Sequence, residues 1–262
     1  MFLEYLKFFS IGILGGIISG LLGIGGGVVI LPILLYITGV EIKIATAIST
    51  INVFFASSLG TFFCWRHKTI NFRYALAFGL SSAATSFLGS YFTELIPGLI
   101  IKIIYLASAI LALVFFFFIR RNNSSQHEIE LATSKVPNGK DYFKIISISI
   151  FAGFVFGVIG VGGGFLYVPI LIILFGLPIK VAIGTSLLIM LLNAIPGLLG
   201  KLLTVRFDIF VGLAVAIGAI GGARLGTYIH KKIKDNTIRI VFIVLLIIII
   251  ARVGFDLYSS LT

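Results

Sequence analysis

A glycine-rich run, Gly23-Ile24-Gly25-Gly26-Gly27, returns 137 residues later as Gly160-Val161-Gly162-Gly163-Gly164. The two runs lie inside the apolar stretches 5–38 and 143–175. At about 1.5 Å per residue, either stretch would measure about 50 Å as one straight helix, against a hydrocarbon core of about 30 Å. Glycine adopts backbone conformations that other residues avoid, so a run of it lets a helix stop and restart. Each stretch therefore reads as a helix, a break and a shorter helix restarting near Val28 or Phe165.

The medium follows from composition. Of 262 residues, 59% are hydrophobic and 11% charged, where a soluble domain carries about 45–50% and about 25%. That excess of apolar surface excludes a soluble globule and, equally, a disordered chain. Cys64 is the single cysteine, which excludes a disulfide scaffold. Six further blocks, near 44–65, 73–93, 98–119, 181–203, 208–230 and 237–258, are long enough to span a bilayer. The expected fold is all-α: a polytopic membrane protein of about eight transmembrane helices in two homologous repeats.

The duplication extends beyond the glycine runs. At the same shift, Pro32-Ile33-Leu34 falls on Pro169-Ile170-Leu171, and Gly39, Lys43, Ala45 and Ser49 fall on Gly176, Lys180, Ala182 and Ser186. Gly60 meets Gly197, Gly89 meets Gly226 and Tyr91 meets Tyr228. Shared apolar composition would match leucines by chance, not glycines, a proline and a lysine in one register. Ser10, Ile13, Gly16 and Gly20 recur as Ser147, Ile150, Gly153 and Gly157, so the first helix is expected to be a structural span and not a cleaved leader. The expected organisation is a first membrane repeat at 1–119, a polar linker at 120–142 and a second repeat at 143–262. Asn122-Asn123-Ser124-Ser125-Gln126, Pro137 and Asn138-Gly139 mark the linker as loop and turn.

The net charge of +11 would suggest nucleic acid in a soluble protein. Here the clusters Arg66-His67-Lys68, Arg120-Arg121 and His230-Lys231-Lys232 close apolar blocks, where basic residues set membrane orientation instead. With four crossings per repeat, Lys7, Arg66, Lys68, Arg73, Arg120, Arg121, Lys135, Lys140, Lys144, Lys201, Arg206 and Arg252 share one side. Lys102, Lys231, Lys232, Lys234 and Arg239 take the other. Both termini and the linker would then be cytoplasmic, in the cell membrane, and the repeats parallel. If the broken segments cross twice, each repeat has five crossings and the repeats are inverted.

The polar residues say what such a protein does. No carboxylate lies at mid-membrane, and His67, His127 and His230 are terminal or in the linker. That argues against a proton relay or cation site. No spacing suits a metal or cofactor, and no serine has a histidine base at membrane depth, so no enzyme is expected. The glycine breaks are the candidates. A restarted helix presents amides without intrahelical partners and a partial positive charge, which together favour an anion. Paired interruptions in two halves are the pointer to a transporter's substrate site. The substrate-binding set is therefore Gly23, Gly25, Gly26 and Gly27 with Gly160, Gly162, Gly163 and Gly164. Ser49, Asn52, Ser186 and Asn193 add hydrogen-bonding groups on the following helices. Pro32 and Pro169 are expected to kink the short helices. Arg224 is the charge well inside an apolar block and joins the set as a possible attractor of substrate, against snorkelling to the interface. The four-residue ridges Gly12-Gly16-Gly20, Gly218-Gly222-Gly226 and Ser81-Thr85-Gly89 read as helix packing.

At these residues the chain resembles the TauE/SafE sulfite exporter family. The resemblance rests on "GLLGIGGGVVILPILL" at 20–35 and "GVIGVGGGFLYVPILI" at 157–172, on "GVEIKIATAIST" and "GLPIKVAIGTSL" after them, and on "GARLGTYI" at 222–229. It implies an integral membrane permease of about eight spans for sulfite, sulfoacetate, taurine-derived sulfonates or related sulfur anions. Phe87 stands at the repeat position of Arg224, so the arginine has no symmetric partner. The expected function is export of a small sulfur oxyanion or organosulfonate across the cell membrane. The alternatives are an uptake permease for another small anionic or neutral solute and a non-transporting scaffold. The expected partners are the solute and the lipid bilayer, with a homo-oligomer left open.

Overall fold

The computed structural model describes residues 2–118 and 126–261, and these form eleven α-helices and no β-strand. In chain order they are α1 (Phe2–Leu22), α2 (Gly27–Ile37), α3 (Ile42–Arg66), α4 (Phe72–Phe92), α5 (Gly98–Phe118), α6 (Gln126–Ser134), α7 (Gly139–Ile159), α8 (Gly164–Phe175), α9 (Ile179–Thr204), α10 (Ile209–Lys232) and α11 (Asp235–Leu261). In hydrocarbon, a chain must satisfy its backbone internally, which is why helices carry nearly all of it. Seven of them, α1, α3, α5, α7, α9, α10 and α11, are long and apolar enough to cross a membrane. The 73–93 block is also helical, as α4, but serines hold its hydropathy down. The outer faces of α5 and α11 present Ile103, Ile110, Leu111, Val114, Val244, Ile247, Ile248 and Phe255 as an apolar surface suited to lipid.

Both apolar stretches break where the glycines stand. α1 ends at Leu22 and α2 starts at Gly27, with Gly23, Gly25 and Gly26 at φ of 69°, 75° and 68°. α7 ends at Ile159 and α8 starts at Gly164, with Gly160, Gly162 and Gly163 at 70°, 78° and 75°. An L side chain is disfavoured at such φ values. Each restart comes one residue before the expected Val28 or Phe165.

Helix directions follow from a few contacts. Lys201, near the end of α9, bonds Thr46, near the start of α3, while a Cβ on Gly60, further along α3, would touch Leu187. α3 and α9 are therefore antiparallel, although each falls on the other at the 137-residue shift. Lys102 at the start of α5 pairs with Asp256 near the end of α11 at 2.7 Å, and Tyr5 in α1 bonds Asp208 at the start of α10. The starts of α1, α3, α5 and α10 thus share one end of the bundle with the end of α11. The other end holds Asn71, bonded to Ala132 and Lys135 of the linker region, and Lys180, paired with Asp235.

α2 then returns from the break toward the end where α3 begins, and α8 toward the end where α9 begins. Each broken segment is a helical hairpin that enters and leaves at one end. This corrects the four-crossing reading. The termini and the linker lie at opposite ends of the bundle, so they do not share a side. Hydropathy counts apolar residues and is blind to the direction taken after a break.

The linker also differs from a plain loop. Helix α6 occupies Gln126–Ser134, and Asn138-Gly139 opens α7, because Asn138 and Asp141 form a reciprocal capping box. Asn71 locks this region down: its Oδ1 accepts from the amides of Arg73 and Tyr74 while its Nδ2 donates to Ala132 O and Lys135 O, each at 2.8 Å. The residues 119–125 lie outside the described residues.

Candidate functional site: two helix breaks that meet

The breaks are neighbours. A Cβ on Gly27 would lie against the Val161 backbone, and one on Gly164 against Gly23 O and the Ile24 backbone. Gly25 and Gly162 both face Val53 of α3 and Met190 of α9. Val53 and Met190 occupy equivalent positions at the 137-residue shift and are buried. Together they fill the space between the breaks, midway along α3 and α9.

Gly26 and Gly163 are the N-caps of α2 and α8, and neither has a side chain to cap the helix. The first bonds to close run from Val29 and Ile30 to Gly26 O, and from Leu166 and Tyr167 to Gly163 O. The amides of Gly27, Val28, Gly164 and Phe165 stay outside the ladder of their own helix. Two helix N-termini, each with a partial positive charge, thus converge in the buried middle of the bundle.

The carbonyls of the breaks are tied across the two halves. Ser186 Oγ donates to Gly23 O at 2.8 Å, and Thr50 Oγ1 to Gly160 O at 3.4 Å. His230 Nδ1 lies 2.8 Å from Leu21 O, while Thr93, at the equivalent position, donates to Val158 O at 3.3 Å. Pro32 and Pro169 sit inside α2 and α8. Pro32 cannot donate to Val28 O, and the Tyr105 hydroxyl takes that acceptor.

The structure brings most of the expected site residues together. Ser49 donates to Gly27 O at 3.4 Å and Asn52 Nδ2 to Gly25 O at 3.2 Å, both side chains fully buried. Among the described residues, Asn52 Oδ1 has no hydrogen-bond partner. Asn193 is held at three points: Ser82 Oγ donates to its Oδ1, its Nδ2 donates to the Tyr167 hydroxyl, and Ser86 Oγ donates to its carbonyl. Beside the second break, a hole of about 10 Å³ is lined by Thr50, Ser86, Ser90, Asn193, Gly160 and Gly162, among others. It has room for about one water molecule.

Arg224 does not join them. Its side chain is exposed, on the face of α10 away from Gly222 and Gly226, which pack against Ile13 and Ile17 of α1. Two residues along a helix turn a side chain to the far face, so the arginine cannot share the packed one. Lys201, which the orientation count placed with the residues of one membrane side, is instead fully buried. The serines at 82, 86 and 90 were also missed. They form a four-residue ridge one position out of step with Ser81-Thr85-Gly89, and they face the hole and Asn193.

A larger opening lies at the linker end. Phe63, Cys64, His67, Thr69, Ile129, Lys180, Thr227 and His230 line a pocket of about 230 Å³. Its polar rim stands over the first break through the contact of His230 with Leu21.

Apolar outer faces, two broken-helix hairpins and a buried polar seam fit a polytopic membrane protein. The sulfite exporter TauE/SafE family model matches residues 8–253, and the chain belongs to that family. It is 28% identical to the "Probable membrane transporter protein YunE" of Bacillus subtilis, over 91% of this chain and 93% of that one. It is 28% identical to a "Probable membrane transporter protein" of Methanocaldococcus jannaschii, over 88% of each. A third relative with the same description, from Xylella fastidiosa strain Temecula1, is 30% identical over 86% of this chain and 84% of its own. No solved structure is a significant match.

Proposed function

We propose that this transporter moves a small sulfur oxyanion or organosulfonate out of the cell, by alternating access about the two breaks. The observation that carries the reading is the meeting of two uncapped helix N-termini in the buried middle of the bundle. They offer amides and partial positive charge, and the nearby hydroxyls and amides of Ser49, Asn52, Ser186 and Asn193 suit the oxygens of such an anion. Val53 and Met190 close the space between them in the resting state, so transport requires the two hairpins to separate. The family description supports a sulfur anion.

Orientation supports export. Arg66, Lys68, Arg73, Lys135, Lys140, Lys144, Lys180, Lys232, Lys234 and Arg239 belong to the linker end, against Lys7, Lys43, Lys102, Arg206 and Arg252 at the terminal end. By the positive-inside rule the linker end is cytoplasmic and the termini are outside. The 230 Å³ pocket, with Lys180 and two histidines on its rim, then opens to the cytoplasm and can collect anions. One negative charge crossing about 100 mV outward gains about 2.3 kcal/mol, so export needs no coupling ion.

A ligand-stabilisation screen tests the substrate class. Purified protein should melt at a higher temperature in sulfite or sulfoacetate than in chloride at equal ionic strength. Stabilisation by neutral solutes alone would favour the uptake alternative. No stabilisation by any solute would favour a scaffold.

A further inference from the structure

Lys201 is fully buried in α9, three residues from the helix end. Its ammonium donates to Thr46 Oγ1 at 2.9 Å, Thr93 Oγ1 at 2.6 Å and Val158 O at 2.9 Å. These bonds join α9 to α3, to the turn after α4 and to α7. Among the described residues no carboxylate lies within 4.0 Å of it, and Glu94 is engaged by Lys43 instead. A buried charge held by neutral groups alone is costly, and its expected complement is an anion.

Its position supplies the route to one. Gly197, Ser90, Thr50 and Gly157 line the hole beside the second break. Lys201 lies one helical turn beyond Gly197, Thr93 just beyond Ser90, Thr46 one turn below Thr50, and Val158 next to Gly157. The lysine and its three partners therefore lie just beyond the lining of that hole, on the terminal side. At the repeat-equivalent position on the linker side stands Cys64, and there the bundle is open in the 230 Å³ pocket. One repeat position therefore holds an open mouth at one end and an ammonium plug at the other.

We propose that Lys201 is both the countercharge for the transported anion and the terminal-side gate. An anion reaching the hole takes the place of Thr46 and Thr93 as ligand to the ammonium, and release of those two hydroxyls lets α9 part from α3 and α4. The proposal rests on the anion-permease reading and names the residue that recognises charge within it.

The test is efflux of labelled sulfite and labelled sulfoacetate from proteoliposomes, with wild-type protein as the check on the reading itself. Wild-type flux no greater than in empty vesicles overturns that reading and this proposal with it. Given wild-type flux, Lys201→Met should lower efflux about 100-fold, as expected when one side of a buried charged contact is removed. Its unliganded melting temperature should not fall, because an apolar isostere of a buried charge is often neutral or stabilising. Efflux within threefold of wild type would overturn the countercharge role. Thr93→Val keeps the ammonium and removes one lock, and it decides the matter if Lys201→Met does not fold. Loss of one charge-assisted bond from the closed state should raise efflux roughly 10-fold. An unchanged rate would overturn the gate.

Discussion

Gly26 and Gly39 have nearly the same φ, 68° and 67°, and different surroundings. A Cβ on Gly39 meets nothing within 4 Å, whereas one on Gly26 would overlap the Gly15 carbonyl and approach Asn52 Nδ2 to 2.8 Å. Gly39→Ala therefore measures left-handed strain alone, about 1–2 kcal/mol. Gly26→Ala adds a clash with backbone that cannot swing aside, a further cost of about 1–3 kcal/mol. At roughly 2–4 °C per kcal/mol for a chain of this size, the Gly26 variant should melt about 2–12 °C below the Gly39 variant. Thermal unfolding in detergent, followed by size-exclusion chromatography of the heated samples, gives both values. Sulfite efflux should fall with Gly26→Ala and stay at the wild-type rate with Gly39→Ala. Equal melting temperatures would refute the packing of the first break against α1.

Other perturbations read separate parts of the account. Met190→Ala removes the plug between the breaks: it should cost about 2–5 kcal/mol of stability and raise passive anion leak in unenergised vesicles. Arg224→Ala should leave efflux and melting temperature at wild-type values, because the side chain faces outward. In a Cys64→Ser background, whole cells treated with an impermeant maleimide should label a cysteine placed at Glu41 and spare one placed at Lys140. The reverse pattern would invert the orientation and with it the case for export.

The sequence makes the breaks legible because glycine is the residue that a left-handed turn demands, and three such turns per run leave no helical alternative. Pro32, Pro169, Ser49 and Ser186 were legible through the repeat register. Val53 and Met190 were not: they are ordinary apolar residues, and only the meeting of the breaks makes them a plug. Lys201 was counted with the basic residues of one membrane side because it stands near the end of its block, but α9 runs on to Thr204 and keeps it inside. A signal existed in the register, where it falls on Cys64 within α3 and not on another surface lysine. Arg224 could have been excluded by counting two residues from Gly222, which turns it off the packed face. The side of the linker depended on whether a broken helix continues across or doubles back, and both paths use the same residues.

The central claim is that an anion crosses where the two breaks meet. Efflux of labelled sulfite from proteoliposomes, with a potential negative inside, tests it against the Gly163→Leu variant, whose side chain would press on the Phe156 ring at the second break. The account predicts flux well above empty vesicles for the wild type and vesicle-level flux for a variant that still inserts as a monodisperse protein. Undiminished flux through that variant would contradict it.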